Sequence, residues 1–395
     1  MRELLKAEYR EPKILVTDSG LSRVERPGST FRLNNVVTVW LVIIFCIQTM
    51  VAQENKKPSW FDSVTLNGFV STAFVYNTNL PANLQNQFHI FDFDDQSFKV
   101  DVVELSLKKD APAISDVGFR VDLTAGSSVP RIARSSGLNI GDIDFHQVYF
   151  SYVAPLGNGL KFDLGKFITP LGYEVIEGYD GYNDNYSRSL LFGYAIPFTH
   201  TGVKASYTFN ENISGSIMLV NGWDNAVDSN NYKSIGAQVS ITPTAGLNII
   251  SGIIYGPEKS RNTSDNRTII DVVAMYAISN QFTLGVNFDY GSEQHSSLTN
   301  ETAVWLGIAG YLRYNACKNL SLALRAEQFE DNDGVRTTVL QILREMTLTG
   351  EYRVNDNFIL RTDLRIDNSN QDVFQNRSDY KNTQSLIGVN AIFLF

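Results

Sequence analysis

Asn357-Phe-Ile-Leu-Arg-Thr-Asp-Leu-Arg-Ile-Asp367 alternates without a break: Leu360, Thr362, Leu364 and Ile366 fall on one face, Arg361, Asp363, Arg365 and Asp367 on the other. A period of two belongs to a β-strand. The same alternation sets Leu320, Leu322, Leu324 and Ala326 against Ser321, Arg325 and Glu327. It also sets Val304, Leu306, Ile308 and Leu312 against Gly307, Ala309 and Arg313. Extended along the chain, the pattern predicts sixteen strands, at 64–77, 98–108, 117–125, 142–154, 160–169, 198–209, 213–221, 234–241, 247–255, 268–278, 282–290, 302–314, 320–329, 340–353, 358–367 and 383–395. Single-strand signals in such chains are weak, so 14 to 18 strands remain compatible with the pattern.

The connections alternate in length. Odd-numbered strands are followed by long ones such as 78–97, 126–141, 170–197 and 368–382, and even-numbered strands by short ones such as Asn210-Glu-Asn212 and Val354-Asn-Asp-Asn357. A soluble sandwich has no reason to keep that parity, whereas an outer-membrane barrel has tight periplasmic turns at one rim and long extracellular loops at the other. The fold class is therefore all-β: a transmembrane, antiparallel, up-and-down β-barrel spanning 64–395. In hydrocarbon every backbone N–H and C=O must be paired within the protein, and only closure removes the edges of a sheet.

Composition agrees. Of 395 residues 43% are hydrophobic and 12% aromatic, too apolar for a disordered chain. After residue 52 no 3.6-residue apolar period lasts beyond a turn or two, which disfavours a helical bundle. The formal charge of -9 and the lack of any long basic run argue against a nucleic-acid partner. Residues 1–52 read as an N-terminal extension and export signal, with Arg23, Arg26 and Arg32 ahead of the uncharged 36–52 stretch and cleavage expected near Ala52. A retained anchor is the alternative, although Gln48 and Thr49 interrupt the apolar run short of the roughly 20 residues a spanning helix needs. Residues 53–63 are expected to form a periplasmic lead-in. Removal of 1–52 takes seven of the 33 basic and five of the 42 acidic side chains, leaving a product at -11 whose one cysteine is Cys317. Cys46 leaves with the signal, so no internal disulfide is expected.

The last strand places Ile387, Val389, Ala391, Phe393 and Phe395 on its outward face. A terminal strand ending on an aromatic is similar to the signal by which barrel-assembly machinery recognises its clients; an ordinary buried strand is the alternative. Trp60, Phe61, Tyr152, Tyr207, Tyr290, Tyr314 and Tyr352 stand near strand ends and fit interface girdles.

Two stretches flank the longest loop. Gly165-Lys-Phe-Ile-Thr-Pro-Leu-Gly-Tyr-Glu174 leads in; Tyr186-Ser-Arg-Ser189 and Ala195-Ile-Pro-Phe-Thr-His-Thr-Gly-Val203 lead out. Through Gly165, Lys166, Pro170, Gly172, Glu174, Ser187, Arg188, Pro197, His200 and Gly202 the chain resembles outer-membrane β-barrel porins of the OmpL-like family. That resemblance implies a channel-forming barrel in the bacterial outer membrane, a passive path for small hydrophilic solutes, and no named substrate. Porins of this size commonly assemble as trimers, wall against wall, so a homotrimer is the implied assembly.

In trimeric general porins the third long loop folds into the lumen. Here it carries Glu174, Glu177, Asp180, Asp184 and Arg188, expected as one side of a constriction; a solvated extracellular loop is the alternative. Arg313, Arg325, Arg361 and Arg365 must point inward, because each Arg at mid-membrane on the lipid face costs roughly 2–4 kcal/mol. With Glu327 and Asp363 they form the opposing wall, either facing the loop acids across an eyelet or pairing among themselves. The four histidines form no HExxH pair, and no metal or cofactor is called for. Besides a channel, the sequence leaves open a non-conducting adhesin or structural barrel and an outer-membrane hydrolase using His200.

Overall fold

A computed structural model describes residues 60–129, 139–140, 143–296, 298 and 300–395. The export signal, Cys46, the cleavage point at Ala52 and most of the lead-in lie outside these residues. A single 3-10 turn, Trp60–Ser63, precedes the first strand.

Sixteen strands form the wall: β1 Thr65–Asn77, β2 Ser97–Lys109, β3 Val117–Ala125, β4 Ile143–Ala154, β5 Leu160–Ile168, β6 Thr199–Asn210, β7 Ile213–Val220 and β8 Ser234–Thr244. The second half is β9 Leu247–Pro257, β10 Asn266–Ala277, β11 Phe282–Glu293, β12 Ala303–Cys317, β13 Leu320–Asp331, β14 Gln341–Arg353, β15 Phe358–Ser369 and β16 Thr383–Leu394. Each pairs antiparallel with its sequence neighbours, and β1 pairs with β16 from Phe69↔Leu394 to Asn77↔Leu386, so the sheet closes. The strand count and the alternation of short and long connections agree with the sequence reading. Strand ends differ from it by three residues at most, the largest shifts being at the rims, where β8, β11 and β12 run on beyond the apolar pattern.

Burial is inverted relative to a soluble protein. Along β15, Arg361, Asp363, Arg365 and Asp367 are each no more than 2% exposed, while Leu364 and Ile366 are about half exposed at 50% and 51%. The apolar side of every strand faces outward, toward lipid; the polar side faces a filled interior. Phe393 and Phe395 are exposed, and the backbones of Phe395 and Gly68 exchange two hydrogen bonds (2.7 and 3.0 Å), which carry the seam between the first and last strands to the final residue. Tyr152, Tyr290 and Tyr352 are exposed near strand ends, as a girdle requires.

The long connections are numbered L1 to L8. L1 is 78–96, L3 is 169–198, L4 is 221–233, L5 is 258–265, L7 is 332–340 and L8 is 370–382, the last holding a small hairpin, Phe374–Asn376 with Asp379–Lys381. L3 is the longest, and the interior is built around it.

Candidate functional site

The inward faces of β12 to β15 carry a dense set of charges. The register places Arg325 beside Thr347, Glu327 beside Glu345, Glu351 beside Arg361 and Thr349 beside Asp363. Alternation alone puts these side chains on one face; closure decides that the face is the lumen.

L3 enters this lumen rather than standing outside it. Gly172 holds φ +94°, a left-handed backbone in which a Cβ would lie 2.5 Å from Ile196 Cδ1, so only glycine fits that bend. Next to it Tyr173 stacks on Tyr311 of β12 with ring centroids 3.9 Å apart. Glu174 then meets Arg325 at 2.6 Å, and the same guanidinium binds Glu345 at 2.6 Å and donates to the Ser187 carbonyl at 2.7 Å. Glu177 takes two hydrogen bonds from Arg361 (2.7 and 3.0 Å) and forms an ion pair with Arg188 (3.0 Å). Asp363 accepts the backbone N–H and hydroxyl of Ser187 at 2.8 and 2.9 Å. Arg365 donates to the Arg188 carbonyl at 2.6 Å and to Asp367 at 2.7 Å. Asp184 pairs with Arg313, which also binds Glu351 at 2.9 Å. Asp180 reaches the other side of the barrel, pairing with Arg120 of β3 and with Lys108 of β2 at 3.1 Å.

One alternative is set aside here and one expectation corrected. L3 is not a solvated extracellular loop: Glu174, Glu177 and Arg188 are 3 to 5% exposed and bonded to the wall. Nor do the acids face the arginines across an eyelet. Glu174, Glu177 and Asp184 touch Arg325, Arg361 and Arg313 directly, leaving no gap for a solute between them. The physical reason is cost: a buried guanidinium without a counter-charge is destabilising, and direct pairing in a dry site removes that penalty. Pairing within the wall also occurs, at Arg313–Glu351, Arg325–Glu345 and Arg365–Asp367, so the ladder alternative describes part of the arrangement.

The extracellular half is sealed by apolar packing that sequence reasoning missed. Among the described residues Glu327 pairs with no loop cation; its carboxylate accepts the backbone N–H groups of Leu190 and Leu191. This seats a single π-helical turn, Leu191–Ala195. Leu190, Leu191, Phe192, Ala195 and Ile196 pack against Trp223, Trp305, Phe329 and Leu343, and Trp305 Nε1 donates to the Ala195 carbonyl at 3.1 Å. Around this level the inward residues Phe167, His200, Val220, Ile254, Ile269, Trp305, Phe329, Leu343 and Leu386 are at most 3% exposed, so among the described residues the lumen is packed along these strands. The signal was available: 190–196 reads Leu-Leu-Phe-Gly-Tyr-Ala-Ile, which a solvated loop has no reason to carry.

Below the seal the interior opens toward the short-turn rim. A cavity of about 400 Å³ is lined there by Arg313, Asn315, Ser321, Glu351 and Arg353. On the opposite wall the inward side chains of Arg120, Tyr149, Lys161 and Lys204 are partly exposed.

The remaining motif residues hold L3's ends. Gly165 and Gly202 are direct cross-strand partners of β5 and β6. Lys166 binds Asp144 at 3.1 Å in a buried pair, and the Pro170 carbonyl accepts from Gln238. Pro197 is buried at the loop's exit. His200 lies 3.0 Å from the Gly222 carbonyl through Nδ1 and 3.2 Å from the Thr169 hydroxyl through Nε2, so both ring nitrogens are engaged and its hydroxyl neighbour belongs to a threonine.

Solved structures with this architecture include an outer-membrane porin and an outer-membrane channel. An anion-selective porin from Comamonas acidovorans superimposes with a TM-score of 0.58 at 12% identity, covering 84% of this chain and 99% of that one. The outer membrane channel DcaP of Acinetobacter baumannii gives 0.58 at 11%, covering 84% and 97%. Salmonella typhi OmpF, solved in complex with daunomycin, gives 0.55 at 13%, covering 85% and 99%. At these identities the likeness concerns the fold. No curated protein matches the sequence. The sequence itself matches one family description over residues 63–395, and with that match, the closed sixteen-stranded wall and the lumenal third loop, the chain belongs to the Putative beta-barrel porin-2, OmpL-like family of the bacterial outer membrane.

Proposed function

We propose that this porin admits small hydrophilic solutes by passive diffusion, with L3 acting as both constriction and closure. The observation that carries the reading is the lumenal seat of L3, ion-paired to Arg325 and Arg361 and capped by an apolar turn. A loop bound this way narrows the bore, and its release opens it. The route follows the β5 and β6 wall, where Lys161 and Lys204 keep water contact and bind no L3 residue, and not the part of the β13 to β15 wall where Arg325 and Arg361 are spent on L3. Lys204 lies 3.5 Å and Lys161 3.3 Å from the buried Asp163, which holds the two partly exposed ammonium groups in place, so solutes meet positive charge along this wall, an arrangement that sorts by charge. Export past Ala52, recognition of the strand ending at Phe395 by barrel-assembly machinery and a homotrimeric state belong to the same reading.

Planar-bilayer recording tests it. Stepwise conductance is expected, with Lys161→Glu plus Lys204→Glu moving the reversal potential in a salt gradient toward cation preference. An unmoved reversal potential would exclude that wall as the route. The closed extracellular layer favours a second reading, a non-conducting adhesin or structural barrel, which the absence of conductance under all conditions would support. A hydrolase built on His200 finds no support in the ring's engaged nitrogens.

A further inference from the structure

L1 reaches over the mouth and lies on the L3 turn. In its segment Phe88-His-Ile-Phe91 the three apolar residues all contact L3. Phe91 packs on Phe192 and Phe198, with ring centroids 5.9 and 6.2 Å apart, and the Arg188 guanidinium stacks 4.9 Å from its ring. Phe88 meets Tyr194 edge-on at 6.5 Å. Ile90 sits over Gly193, where a Cβ would come within 2.9 Å of Ile90 Cγ1, so the absence of a side chain there is what lets L1 settle.

One residue of this segment turns toward the wall. His89 is 4% exposed and bridges two carboxylates, Asp92 of its own loop at 2.7 Å and Asp367 of β15 at 2.9 Å. With both ring nitrogens on carboxylates, the imidazolium form satisfies both contacts as donors. The charged and polar groups around it are Arg365 beside Asp367, Lys99 of β2 on the Asp92 side, and Gln384 of β16, whose amide also bonds Asp367 at 2.9 Å. L1 is held under tension: Leu80, Leu84, Phe88 and Gln96 all have positive φ, from 52° to 60°, a region that side-chain-bearing residues rarely occupy.

We propose that Phe88–Phe91 is a strap that locks the L3 turn in the lumen, and that protonated His89 is its latch, so that the strap lifts when external alkalinity removes the ring's charge. As a regulation of the L3 closure, its consequence for conduction rests on the porin reading. Burial by itself disfavours the charged ring, but Asp92 and then Asp367 outweigh it against the opposition of Arg365, holding His89 above its ordinary value. The sign follows: a group whose closed-state pKa is raised contributes its full stabilisation below about pH 6.5 and loses it as pH rises through the closed-state value. Each unit of separation between latched and released states is a factor of ten in their ratio.

The test is thiol labelling of Ala195→Cys in the detergent-solubilised full chain. Ala195 is fully buried in the cluster that Phe91 of the strap joins, while Cys317 is exposed and serves as internal reference, so the ratio of the two rates cancels the pH dependence of thiol chemistry. From pH 5 to pH 9 the ratio is expected to rise and then to level off once the ring has lost its charge. His89→Lys, which keeps a charge, should hold it low throughout, and His89→Gln should raise it at every pH. A flat wild-type ratio overturns the latch without recourse to any His89 variant. Bilayer conductance of wild type and of a variant with 174–193 replaced by a short Gly/Ser linker separates the two ideas. If the shortened variant conducts and the wild-type ratio is flat, the latch fails and the porin reading stands. If neither conducts while the ratio rises, the strap stands and the porin reading fails.

Discussion

Replacing Arg325 by Met removes the cation that joins L3 to the wall. The guanidinium is fully buried and holds Glu174 and Glu345 at 2.6 Å each, the Ser187 carbonyl at 2.7 Å and Thr347 at 3.2 Å. Methionine preserves much of the volume but leaves Glu174 buried with no cation, only the Ser189 N–H at 2.8 Å, and Glu345 with only the more distant Arg365 at 3.7 Å as its cation. Breaking a buried pair in this way costs about 3–5 kcal/mol, most of it the penalty of the stranded charge. Glu174→Gln in the Arg325→Met background removes one of those charges and should recover part of the loss, so the two substitutions should couple by roughly 1–3 kcal/mol. Urea unfolding in detergent micelles provides the assay: Trp223 and Trp305 both pack in the cluster around L3 and report its release by fluorescence. Four proteins close the cycle, and conductance recorded on each should rise wherever L3 is loosened. A coupling below about 0.3 kcal/mol, with the single effects simply adding, would mean that Glu174 and Arg325 do not share a site. The account of L3 as a loop seated by direct ion pairs would then be wrong.

Two further outcomes follow from the same geometry. Asp224 in L4 accepts the backbone N–H groups of Phe198 and Thr199 at 2.7 and 2.8 Å, yet burial pushes its pKa up to about 6 against those bonds and the charges of Arg336 and Arg267. Its contribution is therefore full below the unfolded value near 4 and is lost as pH rises through about 6, a fall on the order of 3 kcal/mol at most; Asp224→Asn, followed by thermal melts at pH 4.5 and 7.5, should flatten that dependence, and an unchanged dependence would exclude Asp224 as its source. Leu364→Arg places a charge on the lipid face at the middle of β15, where about 2–4 kcal/mol of destabilisation is expected in unfolding from bilayers, whereas a neutral result would place that face away from hydrocarbon.

The wall of this protein was legible because its rule is local. Leu364 and Arg365 differ by one position, and in a strand one position is the difference between lipid and lumen. Repetition over sixteen strands, with loop lengths that alternate, leaves closure as the arrangement that pairs every edge. The filling was not legible in the same way. That Arg325 would meet Glu174, 151 residues earlier in the chain, depends on where L3 turns back inside the bore, and no period in the sequence encodes it. The acids and arginines were recognisable as groups; whether they opposed one another across water or touched was decided by packing. His89 was harder still, a single histidine in an unremarked loop whose partners Asp92 and Asp367 lie on two different elements.

Sequence alone thus determined the class, the alternating orientation of the strands, the two faces and the resemblance to OmpL-like porins, because each rests on neighbours along one chain segment or on simple repetition; it narrowed the strand count to 14 to 18 around sixteen, and closure of the sheet fixed it. The tertiary structure decided that the bore is occupied, that its charges neutralise one another by contact, and that an apolar turn under L1 closes it. Those features follow from three-dimensional complementarity between L1, L3 and the lumenal side chains of strands far apart in sequence, for which burial, not periodicity, supplies the driving force.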